Sequence, residues 1–305
     1  MEEFSYKIFY GDGDNVFDIT DTCRDRLVYN QYILIPHDDH ARYELFGDPA
    51  PGIEKRILVQ NHTVRAYAPN FIVRVHVETG VTVVTDIREI ESKLSKLHGI
   101  LIHNHGTMHD EYPEQRMAMM YLKGDEKILE IGANTGRNSL IMSTLLDDPG
   151  NLVSVESDAN IAEQLAENRD ANQAGFHIVD AAISNRTLIQ HGWRTIPSDV
   201  LLPGYNWVNT ITLAELRAKY DIAFDTLVLD CEGAFYHILL DTPEILDGIK
   251  LIIVENDYAP KNNHKNYVDA ELKKAGFVVD YSERGVPEAR WSNYFSNFYE
   301  VWVRT

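Results

Sequence analysis

The sequence predicts two domains: a β-rich N-terminal domain over residues 1–98 and an α/β, doubly wound sheet over residues 99–305. Three observations carry this division. Short β-branched and aromatic runs broken by turn residues fill the first hundred positions. Strands alternate with helices from about Ile128 onward. The length of 305 residues corresponds to about two ordinary domains.

In the first domain Ser5–Tyr10, Val16–Thr20, Tyr32–Ile35, Lys55–Val59 and Val64–Tyr67 are rich in Val, Ile, Phe and Tyr. The stretches GDGD, PHDD and GDPAPG interrupt them with turn chemistry. Phe71–His76 and Val81–Asp86 flank Glu78-Thr79-Gly80 as the arms of a hairpin. Ile87–Leu97 then places Ile90, Leu94 and Leu97 on one helical face and leads to the boundary near His98-Gly99. Nothing in this domain names a ligand; a glycan-binding or homodimerisation module is the expectation.

In the second domain Pro113–Leu122 reads as a helix with proline in its first turn. Lys127–Ile131 and Leu152–Glu156 are strands, and Asn138–Leu146 is the helix between them. Ala159–Ala174 is helical, with Ile161, Leu165 and Ala166 on one face, and Phe176–Val179 is the next strand. Thr212-x-x-Glu215 is a capping box that opens another helix. Thr226–Asp230 and Leu251–Glu255 are continuous apolar runs that end in acids, the pattern of parallel strands covered on both faces. A helix over Asn266–Ala275 and strands over Phe277–Tyr281 and Phe298–Arg304 complete the series. In such a sheet ligands bind beyond the carboxyl ends of the strands, so the residues there are the candidates for function.

Composition narrows the function. The 28 Lys and Arg stand against 47 Asp and Glu, a formal net charge of −19. A body this acidic repels phosphate backbones, which argues against a nucleic-acid partner over a long footprint. Cys23 and Cys231 make neither a disulfide scaffold nor a zinc framework, in keeping with a reducing cytoplasm. No stretch approaches 18 continuous apolar residues, and the acidic N-terminus does not read as a signal peptide, so no membrane association is expected.

The first strand end reads Ile128-Leu-Glu130-Ile-Gly132-Ala-Asn134-Thr-Gly136. Glycine permits the tight turn and lets a ligand approach backbone N–H groups at the helix start. Twenty residues after Gly136 the second strand ends in Glu156, followed by Ser157. An acid there accepts hydrogen bonds from both ribose hydroxyls, so the pair describes a nucleoside pocket. The dinucleotide fingerprint needs a middle glycine, which G-A-N-T-G lacks.

The E-x-G-x-x-x-G form followed by an acid resembles the first two motifs of S-adenosylmethionine-dependent methyltransferases. In order, LEIGANTGRNSL (Leu129–Leu140), VESD (Val155–Asp158), DAAIS (Asp180–Ser184), DTLVLDCEG (Asp225–Gly233) and LIIVE (Leu251–Glu255) resemble the FkbM family of O-methyltransferases. That family acts on hydroxyls of sugars and natural products. The resemblance covers roughly Tyr112 to the C-terminus. It departs from the family in lacking proline after Glu156 and in the long, irregular segment from Asn185 to Asn209. It implies a Rossmann-like, seven-stranded methyltransferase sheet with S-adenosyl-L-methionine as cofactor. Glu130, Gly132, Asn134 and Gly136 would line the methionine and ribose side, and Glu156 with Ser157 the ribose. Asp180 and Ala181 would stand at the adenine. The implied acceptor is a carbohydrate hydroxyl, on a glycan or nucleotide-linked sugar, or a related small molecule. An RNA methyltransferase and a catalytically inactive binding or scaffold protein are the alternatives.

Methyl transfer to a hydroxyl needs a positioned base or a metal ion, because a sugar hydroxyl is a poor acid. Asp230, Glu232, His237 and Glu255 stand at the fourth and fifth strand ends as catalytic candidates. Asp230 with Glu255 and Asn256 also resembles the magnesium site of catechol-type O-methyltransferases, which implies Mg²⁺ on those three residues. Strand-end acids also cap following helices, so a purely structural role competes. Upstream, His103, His105, His109, Asp110 and Glu111 form a polar stretch that is either a solvated loop or a lid. Glu114, Arg116 and Tyr121 are within reach of an acceptor, while Met117, Met119 and Met120 suit the core. Trp193, Tyr205 and Trp207 lie in the Asn185–Asn209 segment, which either forms the acceptor site or covers the sheet edge. Cys231 beside Asp230 reads as a small buried hydrophobe more readily than as a nucleophile.

Overall fold

A computed structural model describes residues 6–29, 31–259, 263–285 and 297–305. Two compact units emerge among them: Met1–Lys93 with Val279–Glu283, and Leu94–Val278 with Arg284–Thr305.

The first unit holds two four-stranded antiparallel sheets. One orders Asn15–Asp18, Lys7–Asp12, Arg56–Gln60 and Val64–Tyr67. The other orders Val28–Tyr29, Tyr32–Ile35, Phe71–His76 and Thr82–Asp86, and contains the expected hairpin. Ile8, Tyr10, Ile33, Ile57, Val73 and Val75 are fully buried between and beneath these strands. The expected helix forms over Ile87–Ile100. Two short helices, Thr20–Arg26 and Asp39–Phe46, stand where the sequence predicts only strands and turns. The first buries Cys23, and the second starts where Asp38 accepts a hydrogen bond from the Ala41 N–H.

The larger sheet has seven strands, six of them wholly in the second unit, while Val279–Glu283 of the remaining one is grouped with the first. Its strands are β1 (Ile128–Ile131), β2 (Leu152–Glu156), β3 (His177–Asp180), β4 (Thr226–Leu229), β5 (Leu251–Glu255), β6 (Phe277–Glu283) and β7 (Tyr299–Arg304). Their spatial order is β3-β2-β1-β4-β5-β7-β6. The five strands from β3 to β5 run parallel, and β7 lies antiparallel to β5. Strand order reverses between β1 and β4, the switch point at which doubly wound sheets hold ligands. This is the doubly wound, Rossmann-like arrangement that the sequence leads one to expect. Every residue of β1, β2 and β4 is buried, as the continuous apolar runs predict for strands covered on both faces.

The helices are α1 (Tyr112–Tyr121), α2 (Arg137–Leu145), α3 (Ala159–Ala171), α4 (Leu213–Tyr220), α5 (Phe235–Asp241) and α6 (His264–Lys274). The capping box at α4 is complete: Thr212 Oγ1 accepts from the Glu215 N–H, and the Glu215 carboxylate accepts from the Thr212 N–H. The Asn185–Asn209 segment is not irregular. Leu188–His191, Arg194–Pro197 and Asn206–Val208 form a three-stranded antiparallel sheet of their own. Among the described residues no helix is long and apolar enough to cross a membrane.

The turn after β1 sits against the end of β4. Gly132 adopts φ +87°, and a Cβ built there would lie 1.7 Å from the Asp230 carbonyl oxygen. That contact is backbone against backbone and cannot yield. At Gly136, φ +90°, the nearest obstacle is the Leu165 Cδ1 at 2.4 Å, the end of a flexible side chain. Gly132→Ala is therefore expected to cost at least about 3 kcal/mol, from left-handed strain plus overpacking, and Gly136→Ala less. Denaturant unfolding of the two variants beside the parent checks the order.

Candidate active site

A cleft of about 1110 Å³, counted to its open mouth, lies over the carboxyl ends of β1 to β4. Gly132 and Asn134 contribute from the first turn, Glu156 and Ser157 from the end of β2, and Ala181 from the end of β3. Asp230, Cys231 and Glu232 follow β4, and His237 and Asp241 come from α5. The inserted sheet adds Leu188, Gln190, Trp193, Thr195 and Pro197. Among the described residues the lining contains no Lys or Arg.

The glycine turn shapes the floor without offering free amides. The N–H groups of Gly132 and Ala133 donate to the Val155 carbonyl at 3.0 and 3.1 Å. Asn134 N–H donates to Glu156 Oε2 at 2.8 Å, Thr135 N–H to Asn134 Oδ1 at 2.8 Å, and Gly136 N–H to the Ala133 carbonyl at 2.9 Å. The expected approach of a ligand to these N–H groups is thus replaced by a rigid turn whose amides are already satisfied. Its main product is the orientation of Glu156. That carboxylate also accepts from the Asp158 N–H at 2.9 Å. Burial lifts the Glu156 carboxyl above its ordinary range, while the backbone N–H groups of Asp158, Asn134 and Ser157 hold it down.

Of the eight expected cofactor residues, Gly132, Asn134, Glu156, Ser157 and Ala181 line the cleft, and three do not. Glu130 turns into the fold, where Ser139 Oγ and Ser154 Oγ both donate to its Oε2 at 2.5 and 2.6 Å. Gly136 serves as the N-terminal residue of α2 and packs on Leu165. Asp180 is exposed, whereas its neighbour Ala181 is buried and donates its N–H to the Glu156 carbonyl.

Of the four catalytic candidates, Asp230, Glu232 and His237 line the cleft. Glu232 holds a left-handed backbone, φ +52°, uncommon for a residue with a side chain and typical of functional turns. Glu255 stands beside Asp230 outside the lining and meets Glu114 from α1. One carboxylate oxygen each from Glu114, Asp230 and Glu255 lie within 4.8 Å of one another, a set able to hold a metal ion. Asn256, the expected third ligand, is not among them. Its amide donates to the Asn297 carbonyl and to Glu300 Oε2, both at 2.9 Å, within a buried network that includes Lys265.

Three carboxyls this close cannot all carry charge without a cation. Burial first, then the charges of Glu255, Glu111, Glu232 and Asp257, raises the Asp230 carboxyl well above its ordinary value. Burial, the charge of Glu114 and a hydrogen bond shared with Glu114 do the same for Glu255. Glu114, only 3% exposed, is itself pushed up to about 8, chiefly by burial. Its Oε2 has no hydrogen-bond partner among the described residues. Burial also pushes the Cys231 thiol up to about 12, so it is protonated at neutral pH and no nucleophile.

The polar stretch before α1 is fastened down. Arg137 donates from Nε to the Thr107 carbonyl at 2.8 Å and pairs with Glu111 at 2.7 Å. Asn104 N–H donates to Asn168 Oδ1 at 2.7 Å, and none of His103, His105 and His109 lines the cleft. The three aromatics of the inserted sheet separate likewise. Trp193 lines the cleft, whereas Tyr205 meets the His191 ring at a tilt of 42° and Trp207 pairs with Ile189 on the opposite face.

No family model and no curated protein matches the chain. Among solved structures it resembles fibrillarin from Aeropyrum pernix with natively bound S-adenosyl-L-methionine, at 11% identity and TM-score 0.41, over 77% of this chain and 94% of that one. It resembles an O-methyltransferase from Bacillus cereus at 14% identity and TM-score 0.40, over 71% of this chain and 91% of that one. A third is the O-methyltransferase TomG from Streptomyces achromogenes, at 13% identity and TM-score 0.40, over 70% and 89%.

The buried Glu130 yields a prediction. Burial raises its carboxyl to about 7 in the folded chain, from 4.5. A raised carboxyl favours the folded state at low pH, and that contribution fades as pH climbs from 4.5 to about 7. Its slope is at most about 1.4 kcal/mol per pH unit. Glu130→Gln is expected to flatten the decline in stability over this window, read by denaturant unfolding at several pH values.

Proposed function

We propose that the chain is an S-adenosylmethionine-dependent O-methyltransferase of the FkbM kind, acting on a hydroxyl of a neutral carbohydrate or related small molecule. The observation that carries this reading is Glu156, fixed by backbone N–H groups at the floor of the cleft beside the acids that follow β4.

The lining suits the cofactor. Backbone N–H groups of Asn134, Asp158 and Ser157 hold the Glu156 carboxylate, which keeps lone-pair capacity for ribose hydroxyls. Val155, Ala181, Ile183 and Leu188 offer an apolar wall for a flat base. The acids around Asp230 favour a positively charged sulfur. When bound, the cofactor supplies a methyl carbon on that sulfur, and the C–S bond breaks as the acceptor oxygen forms its bond to carbon. Asp230 takes the acceptor's proton: it lines the cleft, and the neighbouring negative charges make its carboxylate a stronger base than an exposed one. Glu232 and His237, which line the same cleft, orient the acceptor in this reading.

The absence of Lys and Arg from the described lining, with Glu156, Asp230, Glu232 and Asp241 present, favours an uncharged acceptor over RNA or a nucleotide-linked sugar. A second reading has its own observation. The mutual approach within 4.8 Å suits a divalent cation on Glu114, Asp230 and Glu255, which would lower the pKa of a bound hydroxyl.

Calorimetry with S-adenosylhomocysteine is expected to show binding that Glu156→Ala weakens at least about tenfold, the worth of one charge-assisted hydrogen bond or more. Asp230→Asn is expected to keep that binding and lower turnover on a glycan acceptor about a hundredfold or more. Transfer to RNA instead would refute the acceptor class. Exhaustive treatment with a chelator separates the two readings of the acids: unchanged turnover leaves Asp230 as a metal-free base, and lost turnover restored by Mg²⁺ favours the cation.

A further inference from the structure

The cleft has an end that the expected cofactor residues leave unread. If Glu156 holds a ribose and the sulfur faces Asp230, the base points the other way, along Ala181, Ala182 and Ile183 toward the inserted sheet. Asp180, the residue expected to meet the base, is exposed and outside the lining. Something else must stand there.

The register of the inserted sheet decides what does. Leu188 pairs with Pro197, and Gln190 with Thr195. Side chains alternate along a strand, so these four share one face, and all four line the cleft. Ile189 faces the other way and is fully buried. Gln190 is 8% exposed, yet its amide makes no hydrogen bond among the described residues. The amide atoms are not sealed from solvent, so a partner can reach them from the cleft that Gln190 lines. One turn further on, the hairpin tip His191-Gly192-Trp193-Arg194 places Trp193 in the lining with 57% of its surface exposed, a ring face open to a ligand. The sheet is tied to α5 by the Arg186–Asp241 ion pair, and Asn185 Nδ2 donates to Thr242 Oγ1 at 3.3 Å, so this wall has a fixed position.

We propose that Gln190 and Trp193 form the adenine-reading end of the cleft: the Gln190 amide hydrogen-bonds the edge of the base, and the Trp193 ring stacks on its face. This rests on the cofactor reading above. A Gln amide matches the N6/N7 edge of adenine, with Oε1 accepting from the exocyclic amino group and Nε2 donating to N7, whereas the inosyl base presents two acceptors on that edge. Stacking on an aromatic ring strengthens binding but tolerates any base. The two residues therefore have separable signatures, specificity for Gln190 and affinity for Trp193.

The test is calorimetry on the full chain with two probes: S-adenosylhomocysteine and S-inosylhomocysteine, which carries oxygen in place of the amino group. The wild type is expected to prefer the adenosyl compound about tenfold or more. Gln190→Leu is expected to weaken the adenosyl compound to the level of the inosyl one and erase the preference. Trp193→Ala is expected to weaken both probes by a similar factor and leave the preference intact. Should Gln190→Leu not fold, Gln190→Asn, with an amide one methylene shorter, takes its place with the same expectation. A wild type without preference, or a Gln190 variant that retains it, overturns the assignment while leaving adenosyl binding intact. A wild type that binds neither probe overturns the cofactor reading and the assignment together.

Discussion

The site depends on one close approach, that of the Gly132 backbone to the carbonyl of Asp230, where only hydrogen fits in place of a side chain. Through it, the turn after β1 and the end of β4 meet with no room between them. The same turn donates its amides to Val155 and Glu156 on β2. Three strand ends are thereby locked into one surface, and the carboxylates of Glu156 and Asp230 share a single cleft. Glycine is required here by packing before any ligand is considered.

From that lock follows the electrostatics. The strand ends bring Asp230 and Glu255 together, and α1 adds Glu114 from the other side. Desolvation and mutual repulsion raise all three carboxyls above the usual carboxylate range. Such a cluster destabilises the fold at neutral pH, the kind of cost that functional sites carry. It offers a strong base when one proton leaves, or a seat for a cation when all do. Both outcomes serve the removal of a proton from a reluctant hydroxyl.

Much of this was legible in the sequence. The apolar runs that end in Glu156, Asp230 and Glu255 announced parallel strands and where their chemistry would sit, because side-chain burial on both faces leaves only the ends for polar groups. What escaped had physical reasons. Glu130 stands one strand position inside the turn motif, and only the sheet's pleat shows that it faces Ser139 and Ser154. Glu114 was expected near the acceptor but not beside Asp230 and Glu255, because it is more than a hundred residues from Asp230 and nothing local links them. Asn256 follows Glu255, but successive residues point to opposite sides, which sends it to Glu300. In the Asn185–Asn209 segment, prolines and glycines masked three short strands whose pairing is set by one another.

What occupies the cleft beside Gly132 decides the proposed function of the chain. A crystal structure of the chain soaked with S-adenosylhomocysteine tests it most directly. The result expected is a nucleoside with both ribose hydroxyls within hydrogen-bond distance of Glu156 and its sulfur facing Asp230. A ligand bound elsewhere, or a ribose turned away from Glu156, would contradict it.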